Sequence, residues 1–132
     1  MRPDLIESAR RSIALGRRLI IKDGWTRRTL QDLSGKRCIG GALMGIEIRP
    51  HLKRKEFSKH WEIPSQDIAS LFIKEVIVDT LTATEKQELE TIIPWQFMVE
   101  WNNRVAKSTW DVVTVLSRAE NLAVKELEKQ NG

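Results

Sequence analysis

Cys38 is the side chain with the chemistry of a strong nucleophile, and it is the only cysteine in the 132-residue chain. It follows Lys36 and Arg37 near a predicted helix amino terminus, an environment that lowers the pKa of a thiol. His51 or His60 would then act as the base of a cysteine-dependent enzyme. The alternative is a small buried side chain at a close helix contact, because free cysteine is commonly buried. We favour burial and rank the enzyme lowest.

No other residues have the spacing of a catalytic or metal site. The two histidines are nine residues apart without a second cysteine, whereas a structural metal site needs three or four convergent donors. Glu85, Glu88 and Glu90 are typical of a solvated helix face. The pair Gly40 and Gly41 lacks both the preceding strand and the Gly-Lys-Ser/Thr of a phosphate loop. We therefore expect no catalytic residue, no metal and no cofactor.

Charge is divided unevenly along the chain. Residues 1–60 contain 15 Lys/Arg and 6 Asp/Glu, while residues 61–132 contain 7 and 12. The halves therefore carry net charges of +9 and −5, which predicts a basic side and an acidic side. Opposite faces of this kind would also allow self-association between copies.

The basic residues are candidates for a binding face that follows a phosphate backbone. They are Arg10, Arg11, Arg17, Arg18, Arg27, Arg28, Lys53, Arg54 and Lys55. Basic helix faces also serve solubility, and no helix-turn-helix, zinc finger or aromatic RNA-reading motif accompanies this charge. Sequence-independent nucleic-acid binding is therefore the second hypothesis.

The chain has five tryptophans and no tyrosine. We expect Trp25, Trp101 and Trp110 to cover the core at helix ends, with an indole N–H bonded to a loop carbonyl. An exposed tryptophan would instead be a binding hot spot. Trp61 and Trp95 fit either role equally well.

Periodic apolar positions predict helices that must place these residues. An amphipathic helix runs from Pro3 to Asp23 and ends at Gly24. A loop or short hairpin follows, and a second helix runs from residue 37 or 38 to Ile48. Its small residues Cys38, Gly41 and Gly45 form a stripe that predicts a tight helix crossing. An exposed connection then covers residues 49–61.

The rest of the chain reads as further helices. Apolar positions within residues 68–77 form one helical stripe, and Thr82 and Glu85 have capping-box spacing. Pro94 marks either a break or the first turn of a further helix that carries Trp101. Ser108 caps the last helix. We predict an all-α, compact single-domain bundle of about five or six helices over residues 1–132, with the first and last packed around the second.

Composition limits the class of protein. With 41% hydrophobic and 30% charged residues, the chain is neither disordered nor membranous. The amino terminus has no apolar signal region, and one cysteine cannot form an internal disulfide. We therefore expect a cytoplasmic protein with no membrane partner.

Three short motifs resemble a small bacterial and phage domain family of unknown function. They are Gly-Trp at the end of the first helix, a Cys-x-x-Gly-Ala-Leu helix, and Trp-Asn-Asp before the last helix. The matching residues are Trp25, Cys38, Gly41, Ala42, Trp101 and Asn102. Asn103 replaces the family's aspartate, which argues against a catalytic or ligand role there. The resemblance implies a helical domain and no known activity.

These observations favour a non-enzymatic interaction module that binds another macromolecule. We expect a regulatory or accessory protein of a bacterium, phage or mobile element, with another protein as its partner.

Overall fold

The boundaries of the first helix are set by the residues at its two ends. This computed structural model describes residues 2–45, 64–89 and 92–131. Helix α1 spans Pro3–Asp23, with the proline in its first turn and Lys22 in its last. Gly24 ends it with φ 98° while donating its backbone N–H to the carbonyl of Ile20. Its buried face repeats at helical spacing and comprises Ile6, Ala9, Ile13, Gly16 and Ile20.

The second helix is shorter than predicted. Helix α2 spans Ile39–Met44 and is entirely buried. Cys38 is its N-cap, and Gly45 ends it in the left-handed conformation at φ 68°. Gly45 is therefore a helix terminator and not part of a small-residue stripe. The prediction of a helix to Ile48 was wrong in placing Gly45 inside it.

Four more helices complete the described chain: α3 at Pro64–Val78, α4 at Ala83–Leu89, α5 at Pro94–Arg104 and α6 at Thr109–Asn131. Reciprocal hydrogen bonds between Thr82 and Glu85 precede α4 and form the predicted capping box. The backbone N–H of Asp111 donates to Ser108 Oγ at the start of α6. Apart from two isolated bridges, the described residues form no β-structure, so the all-α prediction is confirmed.

Helix α1 is the centre of the packing, because it contacts α6, α3 and α2. Helix α3 also packs against α6 and α5. The principal neighbours of α2 are α1 and α5, so it does not lie between the first and last helices as predicted.

The close α1–α2 approach occurs at Gly16, which the sequence analysis did not single out. A Cβ at this position would lie 3.4 Å from the backbone of Ala42. Gly41 instead faces the preceding loop, where a Cβ would lie only 1.9 Å from the Leu30 carbonyl oxygen. The glycine prediction was therefore right about close backbone approach and wrong about the partner, which is a loop and not a helix.

Candidate functional site

Asn102 organises the motif residues into one buried cluster. Its side chain is fully buried on α5. The Oδ1 atom accepts hydrogen bonds from the Trp25 indole at 2.8 Å and from the backbone N–H of Ile39 at 2.9 Å. The Nδ2 group donates to the Thr26 carbonyl and to Asn103 Oδ1, each at 3.2 Å. One side chain thus joins α5, α2 and the loop that connects α1 to α2.

The connecting loop, residues 24–38, is held in shape by its own hydrogen bonds. Asp32 accepts bonds from the backbone N–H groups of Ser34 and Lys36 and from the Ser34 hydroxyl. The Ser34 hydroxyl is the main reason that the pKa of Asp32 is lowered. Arg37 is buried and donates to Asp23 and to the Gly41 carbonyl. These bonds hold together the segment that was predicted as a loop or short hairpin.

Asn103 has a structural role that an aspartate could also fill. Its Oδ1 accepts the Arg28 backbone N–H at 2.8 Å as well as the Asn102 amide. Arg28 has φ 67°, in the left-handed region. Both contacts require only an acceptor oxygen, which aspartate also offers.

Cys38 is a buried structural residue. Its side chain is only 3% exposed, and Sγ accepts the backbone N–H of Gly41 at 3.3 Å. Desolvation by burial raises the pKa of the thiol, so the predicted lowering by Lys36 and Arg37 was wrong. The proposed bases His51 and His60 lie outside the described residues. A protonated, inaccessible thiol is a poor nucleophile.

Three arginines of the predicted basic face, all on α1, are paired with carboxylates of the same molecule. Arg10 and Arg17 of α1 both contact Glu120 of α6, at 3.3 and 2.6 Å. Arg10 and Arg11 also pair with Glu7. Glu120, from the acidic second half of the chain, therefore lies between Arg10 and Arg17 from the basic first half. At this contact the basic and acidic residues are not on separate sides of the molecule. Self-association would need basic residues of one copy to attract acidic residues of another, and at this contact that attraction acts within one chain.

The other predicted basic residues are less constrained. Arg18 is exposed and pairs with no residue that the structure describes. Arg27 lies over the Trp25 ring at 5.0 Å and donates to the Ala106 carbonyl. Arg28 is also exposed. Lys53, Arg54 and Lys55 lie outside the described residues. The binding role of this set stays a prediction.

The tryptophans divide by environment. Trp101 is buried in the core and Trp25 is half-buried against it, but the Trp25 indole bonds to Asn102 and not to a loop carbonyl. Trp95 is also half-buried and lies over Gly40. Trp110 is 71% exposed, so the expectation that it covers the core was wrong. Trp61 lies outside the described residues.

The exposed site at Trp110 could have been suspected from its helical position. Val112, Val113 and Leu116 of α6 are buried, and Trp110 precedes this inward face. Ile21 on α1 is 59% exposed in the same way, because the buried positions of that helix fall at Ile20 and Ile13. A helical wheel therefore places both outside the core.

The described residues form a groove between α4 and α5 but no cluster of metal ligands. A shallow groove of about 450 Å³ lies between α4 and α5, with Leu89, Ile92 and Trp95 on its apolar side and Glu100 and Arg104 on its rim. Across residues 2–45, 64–89 and 92–131, no three His, Cys, Asp or Glu side chains are grouped to hold a metal. No helix in these ranges is long and apolar enough to cross a membrane.

Comparison with known proteins places the chain in a family. The model of a family of unknown function (DUF6197) matches residues 7–122. The chain belongs to this family. The match covers α1 through most of α6, so the resemblance expected from the short motifs is confirmed. Searches of curated proteins and of solved structures gave no significant match. Because the function of DUF6197 is unknown, membership in this family does not indicate an activity.

Proposed function

We propose that this domain is a non-enzymatic interaction module that binds another protein, as a regulatory or accessory protein of a bacterium, phage or mobile element. The observation that carries the proposal is the exposure of Trp110 and Ile21, at 71% and 59%. An exposed tryptophan is typical of a binding hot spot, because the indole contributes a large rigid contact area.

Both exposed side chains lie at the same end of the α1–α6 pair. Arg17 contacts Ser117 and Glu120, while Arg27, just beyond α1, donates to Ala106, just before α6. The two helices therefore run antiparallel. Ile21 lies between Arg17 and Arg27 in the chain, and Trp110 lies between Ala106 and Ser117.

A protein partner accounts for this surface better than the nucleic-acid alternative. Phosphate binding through the first helix would use Arg10, Arg11, Arg17 and Arg18, and the first three already pair with carboxylates of Glu7 or Glu120. Each pair would have to be broken before a phosphate could replace the carboxylate. Exposed apolar area, in contrast, is available without any rearrangement.

The test is affinity capture from bacterial lysate with tagged domain, compared with the variants Trp110→Ala and Leu71→Ala. Leu71 is also exposed and apolar but lies on α3. We expect a protein that copurifies with the wild type and with Leu71→Ala and is lost with Trp110→Ala. Equal recovery with all three proteins, or no recovery with any, would contradict the proposal.

A further inference from the structure

The exposed apolar side chains lie among cations that have no described ion-pair partner. Lys22, Arg28 and Lys107 are all exposed. None of the three pairs with an acidic group in the part of the chain that the structure describes. Together with Ile21 and Trp110 they form what we call the Trp110 surface.

Contacts on either side of this surface bring its members to one end of the molecule. Arg28 is held to α5 by its backbone bond to Asn103, and the adjacent Arg27 is bonded to Ala106. Lys107 follows Ala106 directly. Lys22 follows Ile21 in the last turn of α1, which runs toward the same junction.

The carboxylates near the Trp110 surface bond to groups other than its exposed cations. Asp111 accepts the backbone N–H of Lys107 at 2.8 Å, and Asp23 pairs with the buried Arg37. Asp32 accepts three hydrogen bonds within its own loop. Among the described residues, none of these carboxylates forms an ion pair with Lys22, Arg28 or Lys107.

The conformation of Arg28 gives a second, independent sign of a binding role. A side chain at φ 67° is strained relative to glycine, which adopts this region freely. Such outliers cluster at binding and catalytic sites, where the local cost is retained for function. The strained position here is occupied by an exposed cation.

We propose that the Trp110 surface binds an acidic peptide segment of a partner protein in which carboxylates alternate with apolar side chains. The inference rests on the proposed function and specifies the chemistry of the partner. The cations attract the carboxylates and increase the association rate, while Trp110 and Ile21 contact the apolar side chains. A purely acidic segment would contact only the three cations, and a purely apolar segment would contact only Trp110 and Ile21.

The probe is a synthetic peptide in which Asp and Glu alternate with Leu and Phe. Two comparison probes have the same charge, namely the peptide with serine at every apolar position and a single-stranded oligothymidylate. Binding is followed by NMR through backbone amide signals and, in proteins that keep Trp110, through its indole N–H signal, which is assigned by its absence in Trp110→Phe. Titrations at low and high salt separate the contribution of charge.

We expect the acidic, apolar peptide to bind best, to shift the Trp110 signal and to weaken with salt. Trp110→Ala should lower its affinity by at least about tenfold, as at a hot spot. Lys107→Glu and Arg28→Gly should weaken it as well, whereas Lys86→Glu, an exposed control on α4, should not. Arg28→Gly removes the charge where glycine is the favoured residue, so loss of binding there cannot be attributed to misfolding.

Three results would overturn the inference. Equal affinity for the serine peptide would mean that charge alone acts. Tighter binding of the oligothymidylate with the same dependence on Trp110 would make the surface a single-strand binding site. The third is failure of the acidic, apolar peptide to bind while Trp110-dependent capture of a protein persists, which would leave the proposed function standing with a partner of different chemistry. If capture fails too, both proposals fall.

Discussion

The side-chain oxygen of Asn102 accepts the indole N–H of Trp25 at 2.8 Å, across 77 positions of sequence. The same oxygen also accepts the backbone N–H of Ile39. Trp25 of the Gly-Trp motif and Asn102 of the Trp101-Asn102-Asn103 segment are thus directly bonded, and Ile39, which follows Cys38, is bonded to the same oxygen. The motifs are separate in sequence but form one polar cluster inside the fold.

Loss of the Asn102 amide should destabilise the domain strongly. Asn102→Ala leaves buried donors on Trp25 and Ile39 without an acceptor, and each unsatisfied group costs about 1–3 kcal/mol. We expect a loss of about 3 kcal/mol in the free energy of unfolding, measured by urea denaturation. Trp25→Phe removes one bond and should cost less. A loss below that of Trp25→Phe would show that Asn102 is not the centre of the cluster.

An aspartate at position 103 should be tolerated. Asn103 Oδ1 acts as an acceptor for Arg28 and Asn102, and its Nδ2 donates to no residue within the described ranges. Asn103→Asp keeps the acceptor, so we expect the unfolding free energy to change by less than about 0.5 kcal/mol. Asn103→Leu loses both bonds and should cost about 1 kcal/mol. Thermal denaturation of both variants is sufficient; similar losses would contradict the assigned role.

A side chain at Gly41 should prevent the loop from packing on α2. Its Cβ would lie 1.9 Å from the Leu30 carbonyl oxygen, which is fixed backbone and not a flexible side chain. Overpacking of this kind costs about 3 kcal/mol or more. We expect Gly41→Ala to unfold at much lower urea concentration than the wild type. Gly16→Ala, with a 3.4 Å approach to Ala42, is the matched comparison and should change stability by about 1 kcal/mol or less.

Cys38 should not react with thiol reagents in the folded protein. Its side chain is buried, and burial raises its pKa, so both the thiolate population and access are low. We expect no iodoacetamide labelling by mass spectrometry until the protein is unfolded in urea. Labelling of the native protein at a rate comparable to that of the unfolded chain would revive the nucleophile hypothesis.

Local patterns predicted the elements well and their mutual contacts less well. The 3.6-residue spacing of Ile6, Ile13 and Ile20 and the capping box at Thr82 are determined by neighbours in the chain, and both predictions were confirmed. Pairing of Arg17 with Glu120 depends on the register of two helices that are 103 residues apart at this contact. Charge counts along a chain do not contain that register, so they could not show that Arg10, Arg11 and Arg17 are paired with carboxylates.

The same limit applies to the candidate site. The motif residues could be found from sequence, but Gly45 was assigned to a helix interior and Trp110 was expected to cover the core. A glycine that spaces helices and one that ends a helix look alike until the backbone is known. For Trp110, burial depends on whether another helix covers the outer side of α6, and in the structure the indole is left exposed.

The ion pairs of α1 should make stability dependent on acid. A hydrogen bond from Arg10, with a smaller contribution from Arg11, lowers the pKa of Glu7 from 4.5 to about 2 in the folded protein. The unfolded chain therefore takes up the proton first as the pH falls. The stabilisation that ionised Glu7 contributes to the folded state is complete above about pH 4.5 and is lost as the pH falls toward 2. Because Glu7 is about one-third exposed, solvent screening keeps the effect small.

The check is urea denaturation of wild type and Glu7→Gln from neutral pH to pH 2. The variant should be less stable at neutral pH, and the difference should shrink as the pH falls, because Glu7 in the wild type loses its charge as well. Glu128→Gln changes an exposed carboxylate of α6 that is in no ion pair with a described residue, so it should show no such trend. A difference between wild type and Glu7→Gln that stays constant with pH would mean that the carboxylate's charge does not contribute, and that the variant acts through packing alone.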